Sequence, residues 1–69
     1  MTDGPPRTTA EVARLVGVRA DTLRRWVKTG VIPEVDERAW TPAQVAHARI
    51  VARLRERGHS LAEIREVTA

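Results

Sequence analysis

Cysteine, phenylalanine and tyrosine are missing altogether from these 69 residues, which leaves two tryptophans to supply the aromatic content. Without a thiol, neither a disulfide framework nor a thiolate zinc site can hold the chain together, and two histidines, His47 and His59, are too few to replace one. Stability has to come from apolar packing and well-made helix ends. No apolar run approaches the roughly 18 residues that span a bilayer, and Met1-Thr2-Asp3-Gly4-Pro5-Pro6 lacks the basic and apolar regions of a signal peptide. A cytoplasmic protein with no membrane partner is therefore expected. Also missing are a carboxylate pair, a nucleophile with its base and a glycine-rich phosphate loop. No catalytic residue, metal ligand or cofactor is assigned, and no enzyme is expected.

What is present fits one small domain, since a chain of this length buries only roughly 60% of its unfolded surface and leaves little room for a deep pocket. The formal charge is +3. Lys28 is the only lysine among the 12 basic residues. The excess of arginine favours a polyanionic partner, although it equally records a GC-rich genome.

Residues 1 to 7 carry two prolines and a glycine without apolar periodicity and read as a flexible leader to a domain over residues 8 to 69. Three helix starts follow. Thr8 with Glu11, Thr41 with Gln44 and Ser60 with Glu63 have the spacing of capping boxes, and Pro42 suits the first helical position after Thr41. Trp40 with Val45 and His59 with Ile64 have the spacing of hydrophobic staples. The first helix is expected from Thr9 to Val16, with Val12, Leu15 and Val16 inward and Gly17 ending it. The second should run from Ala20 to Thr29, its apolar face Ala20, Leu23, Trp26 and Val27, its polar face Asp21, Arg24, Arg25 and Lys28. After Gly30 and Val31-Ile32-Pro33, residues 34 to 39 read as a loop or minimal hairpin.

The third helix is expected from Pro42 to Arg57, with Val45, Ala48, Val51 and Ala52 inward and Ile50 and Leu54 widening the stripe. Arg49, Arg53 and Arg57 then lie on a solvated face, and His47 and His59 read as packing residues. A fourth helix starts after Ser60. The expected core gathers Val12, Leu15, Leu23, Trp26, Val27, Val45, Val51, Leu61 and Ile64.

Between Val12 and Trp26 lies the most specific pattern: Ala13 is small, Gly17 opens a turn, and Val12, Val16, Val18, Leu23 and Trp26 plug the angle between two helices. This describes a helix-turn-helix. An ordinary glycine-capped hairpin is the alternative, and it requires neither a small Ala13 nor an apolar Val18.

Thr9 to Val67 resembles the winged DNA-binding domain of the MerR family. The matching pieces are Ala13 to Val18, Thr22-Leu23-Arg24, Gly30 to Pro33, Arg38 to Thr41 and Arg57 to Arg65. The resemblance implies an all-α winged helix-turn-helix with four helices and a minimal wing between the second and third. It also implies a transcription regulator that binds double-stranded DNA, with the second helix in the major groove. On this reading Arg24 and Arg38 contact the backbone, while Arg25 and Lys28 share the cationic face with Arg24. Arg19 replaces a capping residue and is free to swing to a phosphate, and Thr22 completes the candidate set. Asp21 is expected to pair with Arg25.

Two departures stand out. The family's wing is usually longer, glycine-containing and basic, whereas Glu34, Asp36 and Glu37 place three acids here and oppose a phosphate backbone. Arg25 and Trp26 stand where paired tyrosines usually follow Arg24. The stretch Trp40 to Glu66 is also similar to the MerR-like N-terminal module of actinobacterial class III adenylate or guanylate cyclases. That likeness implies a regulatory module that contacts a C-terminal domain or partner protein through its fourth helix. A free-standing winged protein that polymerises on DNA is a third reading.

Overall fold

The computed structural model describes residues 7–68, so of the leader expected over residues 1 to 7 all but Arg7 lies outside the described residues. Arg7 is tied to the fold, for it forms an antiparallel bridge with Trp40, whose amide donates to the Arg7 carbonyl at 2.9 Å.

Four helices follow one another: α1 (Thr9–Val16), α2 (Ala20–Lys28), α3 (Pro42–Glu56) and α4 (Leu61–Thr68). Each of the three expected capping boxes is formed. The amides of Glu11, Gln44 and Glu63 donate to the hydroxyls of Thr8, Thr41 and Ser60 at 3.2, 3.2 and 3.1 Å, and each third residue's side chain accepts an amide in return. These bonds satisfy amides that the first helical turn leaves unpaired. They also act on charge. The Thr8 and Ser60 backbone amides, followed by the hydroxyls, hold the Glu11 and Glu63 carboxyls below the usual carboxylate range.

Gly17 ends α1 at φ +87°, where an L side chain is strained, and its amide and that of Val18 both reach the Ala13 carbonyl, at 2.8 and 3.0 Å. The chain reverses within three residues into α2. Helix α1 packs on both α2 and α3, while α4 packs on α3.

Val12, Ala13, Leu23, Trp26, Val31, Ile32, Trp40, Ala48, Val51, Ala52 and Ile64 form the core. Val27, Val45 and Leu61, expected within it, pack against it and are only partly buried. Leu15 does not join it. At 3.6 residues per turn, the inward stripe of α1 is Thr9, Val12, Ala13 and Val16, which turns Leu15 to the side and leaves it 44% exposed. Ile50 fails for the same reason: Ala48, Val51 and Ala52 define the inward stripe of α3, and Ile50 lies on the opposite face at 53% exposure. His59, expected as a packing residue, is exposed too.

Loop residues complete the core. Trp26 ends the packed face of α2, and its carbonyl accepts the amides of both Val31 and Ile32, at 3.0 and 3.2 Å. That pair of bonds folds the loop back beneath the helix and buries both side chains. From there to Trp40 the connection is a loop rather than a hairpin, because the one bridge it makes goes to Arg7. No strand occurs among the described residues, and none of their helices is long and apolar enough to cross a membrane.

Candidate nucleic-acid interface

The orientation of α2 follows from its two buried residues. Leu23 and Trp26, three apart, are sunk in the core, so Arg24, Arg25 and Lys28 face outward and are all exposed. Arg19 occupies the position before the helix with extended backbone (φ −80°, ψ 151°) and makes no side-chain cap bond. Thr22 is half-buried, its amide donating to the Arg19 carbonyl at 3.0 Å. An open cleft of about 430 Å³ runs from the α1–α2 turn to the start of α4, and both Thr22 and Arg25 line it.

Of the six candidate residues, Arg24 is the one with acid partners among the described residues. Its Nε donates to both carboxylate oxygens of Glu37, at 3.2 and 3.3 Å, and its Nη1 donates to Asp21 Oδ1 at 3.4 Å. Asp21 therefore pairs with Arg24 and not, as its spacing suggested, with Arg25. Asp21 and Arg24, three apart, are neighbours on the helix surface, and Glu37 reaches the same guanidinium from the loop. Arg19, Arg25, Lys28 and Arg38 have no ion pair among the described residues.

Glu37 is held in place from behind. Its carbonyl accepts the first amide of α1, from Thr9, at 2.8 Å, and the Thr9 hydroxyl at 3.4 Å. The same hydroxyl accepts a bond from Trp40 Nε1 at 2.9 Å inside the core. Asp36 has a separate task, its Oδ1 accepting the Arg38 amide at 2.9 Å while the Ala39 amide reaches the Asp36 carbonyl at 3.0 Å. This side-chain-supported turn exposes Arg38 beside Glu37.

Loop and recognition-helix candidates are thus neighbours, with an acid between them. Sequence reasoning treated Glu37 as one of three repelling charges and missed its bond to Arg24. Opposite charge was the only available hint, and at a separation of 13 positions no helical spacing points to it.

Arg49 and Arg53 on α3 and Arg57, which caps its C-terminal end, are exposed, again without ion pairs among the described residues. His47 is half-buried, and its Nε2 has no hydrogen-bond partner. Among the described residues no cluster of histidine and acidic side chains could hold a metal ion.

Neither a curated protein nor a solved structure gives a match to the chain. The pattern of the family described as "MerR HTH family regulatory protein" matches residues 7–69. A match of that extent, laid over a glycine turn between α1 and α2 with a cationic outer face on the second helix, shows that the chain belongs to the MerR helix-turn-helix family and is a DNA-binding regulatory domain.

Proposed function

We propose that the domain binds double-stranded DNA by laying α2 in the major groove, as part of a transcription regulator. The observation that carries this reading is the exposed cationic face of α2, fixed outward by the burial of Leu23 and Trp26 on its opposite side. Arg25 and Lys28 are its free cations, able to reach phosphates or base edges. Arg19 precedes the helix with its guanidinium uncommitted, and Arg38 on the loop serves as the backbone contact beside it. Thr22, half-buried at the start of the helix, contributes its hydroxyl at the edge of the groove.

The net charge of +3 is small for this task, so affinity for random DNA is modest and falls steeply with salt. Titration of the protein against random duplex DNA at two salt concentrations tests the reading. Binding that weakens at the higher salt, with a slope equivalent to a few neutralised phosphates, supports it. No binding at either concentration refutes it.

A further inference from the structure

We infer that Glu37 is an internal competitor for DNA, occupying Arg24 in the free protein and setting how tightly the domain grips a phosphate; this deepens the DNA-binding reading above and rests on it. A guanidinium offers five N–H donors in a rigid fork, and it takes an oxyanion best through two parallel bonds along one edge. In this structure Nε, which has a single N–H, is committed to Glu37 through the two shorter contacts, 3.2 and 3.3 Å, and Nη1 bonds to Asp21 at 3.4 Å. A phosphate taking the Nε edge of Arg24 in two-pronged fashion must therefore displace Glu37.

Glu37 is the stronger of the two competitors. It presents both oxygens to one nitrogen, its side chain is less exposed than that of Asp21 (56% against 83%), and its backbone is pinned to the start of α1 by Thr9. One guanidinium against two carboxylates leaves the cluster with a net negative charge, although it stands on the helix face that meets DNA. Only on exchange of Glu37 for phosphate does Arg24 count as a cation toward the duplex. The pair is exposed and easily opened. It is a threshold on binding rather than a block.

Glu34 and Asp36 carry the same charge in the same loop, yet neither touches Arg24. The proposal therefore separates a specific exchange from a diffuse field. Random duplex DNA is titrated at low salt with the unaltered protein, E37Q, D36N, R24A and the double variant E37Q/R24A. E37Q is expected to tighten binding about two- to five-fold, the range that an exposed pair supports, while D36N gives a clearly smaller gain. In the R24A background the gain from E37Q disappears. Unchanged melting of E37Q shows that the fold is intact, since the substitution leaves the Glu37 carbonyl bonded to Thr9.

Equal gains from E37Q and D36N that persist without Arg24 would overturn the inference in favour of diffuse repulsion, while DNA binding itself would stand. Weaker binding by E37Q would overturn it in the other direction, making Glu37 a residue that positions Arg24. Absence of binding in every form would remove the DNA-binding reading and this inference together.

Discussion

Trp40 Nε1 donates to the hydroxyl of Thr9 across 2.9 Å, joining two residues 31 positions apart in the middle of the core. Both are buried, and the bond allows one of the protein's two tryptophans to enter the interior without leaving its one polar atom unpaired. Because the Thr9 hydroxyl and amide also meet the Glu37 carbonyl, this one contact ties the hydrophobic core to the loop that faces α2.

Removing the acceptor should therefore cost stability out of proportion to the atoms lost. Thr9→Val keeps the shape but leaves the indole donor buried and unsatisfied, a change expected to cost about 1–3 kcal/mol. Thr9→Ser keeps the hydroxyl and should cost clearly less. Urea unfolding of the two variants makes the comparison, and equal losses would show that the methyl group, not the bond, is what matters.

The rotation of α1 and α2 can be checked by a pair of truncations. Trp26→Ala empties a core position and should cost roughly 3–5 kcal/mol. Leu15→Ala, at a position 44% exposed, should stay within about 1 kcal/mol, close to the range of ordinary surface changes. A Leu15→Ala variant as damaged as Trp26→Ala would mean that α1 presents a different face to the core.

Acid should weaken the fold through the helix starts. The carboxyls of Glu11 and Glu63 are held below their ordinary value of 4.5, first by the backbone amides of Thr8 and Ser60 and then by the hydroxyls. A depressed folded pKa contributes stability that is fully present above 4.5 and is lost as pH falls through the lower folded values. Melting temperature should accordingly decline below that point. In a Glu11→Gln/Glu63→Gln double variant the decline should be shallower, and an identical pH profile would show that these boxes do not link protonation to folding.

DNA binding offers a residue-by-residue check on α2. Arg25→Ala and Lys28→Ala should each lower the log–log salt slope by about 1, as expected for one lost phosphate contact. Arg53→Ala on the outer face of α3 should leave it unchanged, because the same charge is removed away from the proposed interface. Equal effects at Arg25 and Arg53 would mean that the duplex senses only overall charge.

The sequence by itself determined the helix starts and the turn. Thr8, Thr41 and Ser60 cap through residues three positions on, and Gly17 adopts a left-handed conformation set by its own lack of a side chain, so the information is local. Leu23 and Trp26 were legible as the buried face of α2 from helical periodicity alone, and the cationic face followed as its complement. Tertiary structure decided what periodicity cannot: which side of an apolar stripe faces the core, and where a loop returns. Leu15 read as a core residue and Ile50 as widening the stripe of α3 because they are apolar, yet a helix can bury only the arc its neighbours cover, and here that arc passes through Ala13, Ala48 and Ala52. Val31 and Ile32 join the interior because their amides bond to the Trp26 carbonyl and bring the loop underneath, while Trp40, one of the two tryptophans expected to carry the core, is buried there. The bond between Arg24 and Glu37 belongs to the same class. It exists because the loop carrying Glu37 is anchored to the first residue of α1, a long-range arrangement with no spacing in the chain to reveal it.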